Sequence, residues 1–294
     1  MQNDYVFLTP TWHGDLPYFA RLRRSIERLD IDVEHYVVVD TEDLELFRSE
    51  VRGSRQVRLL TTADVLPKKA ERQRASRRAA FNRMDPRRYL QPRPVPGWWA
   101  QMYVKLWFAA MYDESPYVCV DSDLIFLQPP GLTDFVIHNG SCPLYYREPK
   151  WVMEAAWFVR ACTVLNIPRE RLVLKSHTTT PQLFSPAVAR GVCMELERCG
   201  HRPWYEVMRR EGLAEYETYA AFAMHRWEGS PKIVPTYFEQ SLVLTQWDSP
   251  EDAGALLEEL SRDSRIRYFC VQSKLPEDDV AWKQIVADVT GEPI

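Results

Sequence analysis

The 294-residue chain is predicted to fold as an α/β protein, a mostly parallel central sheet flanked by helices with a more helical C-terminal half. Three observations predict it. Short β-branched runs alternate with amphipathic stretches through the first 130 residues, the pattern of a parallel sheet covered by helices. The most apolar strand candidate, Tyr117-Val118-Cys119-Val120, ends on an acidic residue, Asp121. Beyond residue 150 the apolar spacing is mostly helical. The length suits one domain, 1–294, with an N-terminal half (1–130) built for ligand binding and a second half (131–294).

Taken in order, Tyr5-Val6-Phe7-Leu8 reads as a buried strand that stops at Thr9-Pro10-Thr11. Leu16 to Leu29 reads as a helix, with Phe19, Leu22, Ile26 and Leu29 on one face and Arg21, Arg24 and Arg28 on others. His35 to Val39 is a second strand, closed by Asp40; Asp43 to Val51 is helical; Gln56 to Leu60 is a third strand. A helix around 70–81 is broken by Pro86, Pro92, Pro94 and Pro96, and Trp98 to Tyr112 forms the next one. Leu124 to Leu127 is extended before Pro129-Pro130. Helices are expected at 151–165, 186–199, 203–211, 215–226 and 250–262, and a strand at 267–271.

Composition narrows the function. Apolar residues are 46% and charged residues 27%, an ordinary globular balance. With 11 Gly against 21 Pro, glycine-rich phosphate loops are disfavoured. The six cysteines form no C-x-x-C pair and fit a reduced, cytoplasmic protein better than a disulfide framework. The N-terminus lacks the basic and apolar regions of a secretory signal, and no run reaches bilayer length, so membrane contact is expected to be peripheral at most. Between Lys68 and Arg93, ten Lys or Arg face only Glu71 and Asp85, a block suited to an anionic partner or to a solvated surface.

Ligands of open α/β sheets sit beyond the carboxyl ends of the strands. That rule selects Thr9 and Thr11 after the first strand, Asp40 after the second, and Asp121 with Asp123 after the strong one. Asp-x-Asp alone is a weak motif, and Asp30-Ile31-Asp32 is a second copy, but it precedes its strand. Two carboxylates on a tight turn suit a hard cation, Mn²⁺ or Mg²⁺, that keeps open positions for phosphate oxygens. No G-x-G-x-x-G follows a strand, and neither a P-loop, H-E-x-x-H nor G-x-S-x-G occurs.

The order Thr9, Asp15, Ser25-Ile26, Asp40, Gly97-Trp98-Trp99-Ala100-Gln101, Lys105-Leu106 and Val120-Asp121-Ser122-Asp123 resembles the GT-A-fold glycosyltransferases. It is similar in particular to a bacterial group associated with surface polysaccharides, and Glu215-Tyr216-Glu217-Thr218-Tyr219 matches a further motif of that group. The resemblance implies a nucleoside diphosphate sugar donor, bound by the half 1–130, and a glycan or lipid-diphosphate acceptor, bound by the half 131–294. It assigns Thr9 and Asp40 to the nucleoside, Asp121 to ribose and metal, and Asp123 to the metal. Thr11 joins the nucleotide loop. Gln101 and Lys105, four apart on one helix, point to the same place, with Lys105 set against donor phosphate. Trp98 is an acceptor-side stacking candidate.

An inverting transfer needs a carboxylate base, for which Glu217 is the first choice and Glu215 the second; a retaining transfer needs none. His225 is a candidate third metal ligand, His177 an acceptor-site residue, His13 a neighbour of the nucleotide, and Lys274 a weak diphosphate contact. Two other readings stand beside this one. The basic block would make the chain a non-catalytic nucleic-acid or acidic-surface binder, with salt-sensitive affinity. A two-metal phosphohydrolase would need more clustered carboxylates and histidines than the sequence shows. Under the transferase reading the basic block lies at the mouth of the donor or acceptor site.

Overall fold

The computed structural model describes residues 5–72, 96–113, 115–130, 134–135, 139–149, 152–168, 170, 174–238, 240–244, 265–271 and 287. The basic block from residue 73 on, the helix expected at 250–262 and Lys274 lie outside the described residues.

The central sheet has five strands in the order β3-β2-β1-β4-β7: β1 (Val6–Pro10), β2 (His35–Val39), β3 (Val57–Thr61), β4 (Tyr117–Cys119) and β7 (Gln182–Phe184). The first four are mutually parallel and β7 runs antiparallel to β4. Helices α1 (Leu16–Arg28), α2 (Leu44–Glu50) and α3 (Thr62–Val65) follow the first three strands, and α4 (Pro96–Trp107) leads into β4. Since β1 connects towards β2 on one side and pairs with β4 on the other, the gap between the ends of β1 and β4 is the point where the strand order reverses. Crevices open at such points.

The strands alternate as period-2 chains must, and each face buries its own core. Val6, Leu8, Val38, Tyr117 and Cys119 face one way, onto α4 and the later helices α5 (Val152–Val164), α6 (Pro186–Gly200), α7 (Trp204–Glu211) and α8 (Glu215–His225). Phe7, Val37, Val39, Val118 and Val120 face the other way, onto Phe19, Leu22 and Ile26 of α1 and Phe47 of α2. Fully burying each such side chain stabilises the fold by roughly 1.5–3 kcal/mol, so the two faces lock the sheet's register.

Two smaller sheets complete the described chain: β5 (Leu124–Phe126), β10 (Tyr268–Val271) and β9 (Ser241–Leu244), and the parallel pair β6 (Ser141–Tyr146) with β8 (Lys232–Tyr237). β6 to β9 have no counterpart in the sequence-based expectation. Pro143 and Pro235 lie inside β6 and β8, where a ring without an N–H reads as a strand breaker, and β7 is only three residues long. β5 is tied to α1 through Ser25, whose hydroxyl oxygen accepts the Phe126 N–H at 3.0 Å, and through Arg28, which donates to the Phe126 carbonyl at 3.1 Å. The turn 121–123 is therefore held at both ends, by β4 before it and by β5 after it.

Candidate active site

The turn itself is tight: the Leu124 N–H donates to the Asp121 carbonyl at 3.0 Å, and the Val120 N–H before it continues the ladder to Leu8 at 2.9 Å. Asp121 and Asp123 are both half-buried just beyond the carboxyl end of β4, beside the point where strand order reverses. Lys105 comes up from α4 with its ammonium 2.7 Å from Asp121 Oδ1 and 2.8 Å from Glu215 Oε1. Burial alone would depress the pKa of this lysine, but the two carboxylates outweigh it and hold the group well above its usual range. Lys105 also lies 4.3 Å over the Tyr216 ring, and the Tyr216 hydroxyl reaches Asp121 Oδ1 at 3.4 Å.

Asp15, the last residue before α1, enters the site through contacts to which the sequence assigns no role. It is buried and accepts hydrogen bonds from Trp12, Ser122 and Gln101, so the loop after β1, the turn after β4 and helix α4 meet on one carboxylate. Its pKa is raised first by burial, against the hydrogen bond from Trp12, and then by the charge of Asp121. Gln101 and Lys105, one turn apart on α4, reach two different carboxylates, Asp15 and Asp121. Asp15 stands in the motif order that carries the resemblance, but its meeting with Ser122 and Gln101 has no local signal.

The carboxyl ends of β1 and β2 are braced from within. Thr9 is fully buried; its hydroxyl donates to the Val120 carbonyl at 2.7 Å and accepts from His35 Nε2 at 2.8 Å. His35 is held neutral, its pKa pushed down to about 3 by burial. Thr9 therefore fastens β1 to β4, and its hydroxyl has no hydrogen left for a nucleoside. Thr11 differs: its hydroxyl is buried at the same end with no hydrogen-bond partner. Asp40 is buried as it leaves β2, its carbonyl accepting the Asp43 N–H at 2.9 Å. Asp43 in turn grips His13 through the backbone N–H at 3.0 Å and the ring Nδ1 at 3.0 Å.

Four sequence candidates fall elsewhere than expected. Glu217 is fully buried, with Oε1 accepting from the His177 N–H at 2.8 Å and from the Thr178 N–H and hydroxyl at 3.1 Å each, so no acceptor hydroxyl reaches it. His177 does not line an open loop: it is fully buried beside Phe158 and Tyr146, Nδ1 bonded to the Tyr145 carbonyl at 2.9 Å. His225 ends α8, ten residues from Glu215 and so about 15 Å along the axis from the end that meets Lys105. It cannot join Asp121 and Asp123 without moving the helix. Trp98 packs against Trp99 and Trp157 at ring distances of 5.3 and 6.1 Å, on the surface of the core.

Among the described residues, no three His, Cys, Asp or Glu side chains form a ready ligand set for a metal. The donor chemistry nonetheless fits a hard cation. Asp121 and Glu215 share the Lys105 ammonium, and the charge of Asp121 adds to burial in raising the pKa of Asp15. Asp121 and Asp123 are the residues that would hold such an ion, carboxylate oxygens being the donors that Mg²⁺-type cations prefer. The Cys270 thiol donates to Asp123 Oδ1 at 3.5 Å and stays protonated, its pKa driven up by burial and then by Asp123.

The fold has solved counterparts. An active-site mutant of LgtC is similar over 97% of this chain and 95% of that one, with a TM-score of 0.50 and 11% identity. The galactosyltransferase LgtC in complex with donor and acceptor sugar analogues gives a TM-score of 0.49 at 10% identity over the same shares, 97% and 95%. The bifunctional glycosyltransferase WbbM gives 0.45 at 12% identity, over 92% of this chain and 46% of that one. At such identity the LgtC mutant speaks for the fold alone: the mixed α/β, GT-A-like arrangement with a mostly parallel central sheet. No curated protein matches the sequence. A family model does, over residues 13–249, and the chain therefore belongs to the family of unknown function DUF6492.

Proposed function

We propose that the chain is a metal-dependent glycosyltransferase that moves a sugar from a nucleoside diphosphate sugar to a glycan or lipid-diphosphate acceptor in bacterial polysaccharide biosynthesis. The observation that carries the reading is the position of Asp121-Ser122-Asp123, at the carboxyl end of β4 beside the point where strand order reverses. The GT-A-like fold, whose counterpart LgtC was crystallised with donor and acceptor sugar analogues, supports it. No helix among the described residues is long and apolar enough to cross a membrane. The reading places the enzyme in the cytoplasm, at most peripherally at the inner membrane face.

In the reaction, the bond from the anomeric carbon to the diphosphate oxygen breaks and the nucleoside diphosphate leaves with its electron pair, a bond to the acceptor oxygen forms, and the acceptor's hydroxyl proton passes to the departing diphosphate or to solvent. Asp121 and Asp123 would hold Mn²⁺ or Mg²⁺, which when bound would supply Lewis-acid stabilisation of the departing diphosphate. Lys105 keeps the Asp121 carboxylate turned inward and fixed, acting through that residue rather than on donor phosphate. Asp15 fixes Ser122, and with it the spacing between the two aspartates. Thr11 offers a desolvated hydroxyl for a polar group of the nucleotide, and Glu215 is the carboxylate of α8 nearest to the cluster. The test is donor hydrolysis and transfer with Mn²⁺, wild type against Asp123→Ala. A fall of at least a hundredfold is expected, and equal rates would remove the assignment.

A further inference from the structure

Three consecutive residues at the start of α8 grip the site by three routes. Helical rotation of about 100° per residue turns their side chains in different directions. Glu215 takes the Lys105 ammonium at 2.8 Å, which also holds Asp121. Tyr216 reaches Asp121 directly, its hydroxyl 3.4 Å from Oδ1. Glu217 points elsewhere, into the segment 176–180.

That segment crosses from β6 to β4 as a strap without a strand partner of its own beyond a single bridge. At its start, Ser176 exchanges backbone hydrogen bonds with Arg147 at 2.9 and 3.0 Å. At its end, the Thr180 hydroxyl oxygen accepts the Asp121 N–H at 3.1 Å. Between these points one oxygen, Glu217 Oε1, accepts three hydrogens: the N–H groups of His177 and Thr178 and the Thr178 hydroxyl, at 2.8, 3.1 and 3.1 Å. Buried N–H groups need partners, and no neighbouring strand supplies them here. Glu217 does the work that a strand would do elsewhere.

We propose that Glu217 is a positioning residue: it anchors the 176–180 strap, which through the Thr180 hydroxyl sets the backbone of Asp121. Its consequence for turnover rests on the transferase reading above; the mechanical coupling does not. The arrangement also accounts for an acidic side chain at a fully buried site without a cation in hydrogen-bonding contact. What the site requires is an acceptor oxygen, not a charge. A glutamine supplies the same oxygen, and a base does not survive that substitution.

Backbone amide exchange reads the coupling without any activity. In Glu217→Ala, the amides of His177, Thr178 and Asp121 should exchange at least tenfold faster than in the wild type. In Glu217→Gln all three should stay within about threefold. Thr180→Val should speed Asp121 alone. If the strap amides quicken in Glu217→Ala while Asp121 does not, the strap transmits nothing and the proposal is overturned. Should Glu217→Ala fail to fold, unchanged Asp121 exchange in Thr180→Val overturns it equally. For turnover, Glu217→Gln should retain kcat within about threefold. A loss beyond a hundredfold with normal exchange would make Glu217 a base and end the positioning role. A wild type without transferase activity would sink the functional reading and leave the exchange result standing.

Discussion

Lys105 and Asp121 form a buried-to-surface ion pair at 2.7 Å, in which the lysine is almost wholly enclosed and the aspartate keeps about a third of its side chain in solvent. The lysine is tied on its inner side to Glu215 and covered by the Tyr216 ring. One cation therefore reconciles two carboxylates that would otherwise repel each other across the crevice.

Removing that cation should be costly for the fold as well as the site. Lys105→Met leaves Glu215 buried and unpaired, an error that typically costs about 3 kcal/mol. The double substitution Lys105→Met/Glu215→Gln should recover more than half of the loss, because no buried charge is then left alone. Urea denaturation of the four proteins in the cycle measures this directly. Additive effects of the two changes would mean that the pair is not coupled.

Asp15 leads to the opposite expectation for stability. It is raised in pKa by burial and by the charge of Asp121, so ionised Asp15 strains the cluster. Asp15→Asn keeps an oxygen for some of the donors on Trp12, Ser122 and Gln101 and removes the repulsion. Folding stability should hold within about 1 kcal/mol, the scale of one hydrogen bond exchanged for another. Mn²⁺ affinity should fall at least fivefold by calorimetric titration, since one surplus negative charge has gone. Unchanged Mn²⁺ affinity would separate Asp15 from the cation site.

How far the sequence reveals this arrangement depends on how local each signal is. β1, β2 and β4, with helices α1, α4, α6 and α8, follow from apolar periodicity within a dozen residues. The turn 121–123 follows from the strand before it, and the place of Gln101 and Lys105 one turn apart on α4 follows from helical spacing. The rest depends on contacts between distant parts of the chain. The Asp121–Thr180 bond spans 59 positions and the bond from Thr9 to Val120 spans 111, and no local pattern announces either. The same limit explains Glu217 and His225. Helical spacing gives each a direction relative to the axis, but it does not tell whether that direction meets the crevice or the core. β6 and β8 escape notice because their prolines argue against strands, whereas their pairing tolerates one proline each.

Gly14 offers a test of how Trp12 is held. A Cβ at this position would lie 2.4 Å from the Trp12 ring, so the ring rests on the glycine itself. The indole edge is at the surface and can swing, so Gly14→Ala should cost little stability, about 1 kcal/mol, at the low end for overpacking. The swing should break the bond from Trp12 to Asp15. Red-shifted tryptophan emission and weakened Mn²⁺ binding should then appear together. Emission identical to wild type would show that the ring keeps its place.

The last prediction concerns pH and Glu217. Burial raises its pKa, against the hydrogen bonds from His177 and Thr178, from the ordinary 4.5 to about 8. Between those values the folded chain keeps a proton that the unfolded chain releases, so the proton's contribution to stability is full below pH 4.5 and is lost as pH rises towards 8. Glu217→Gln has no proton to lose. The stability of the variant relative to wild type should therefore be flat below pH 4.5, climb through neutrality and level off above pH 8, with a difference on the order of 3 kcal/mol at pH 7. His177 acts in the opposite sense, its pKa lowered by burial from 6.5 to about 4, so it destabilises the fold as pH falls through that range. That term is common to both proteins and cancels in the difference. Thermal unfolding of the two at half-unit pH steps would show the climb, and a difference independent of pH would mean that Glu217 is ionised in the folded state.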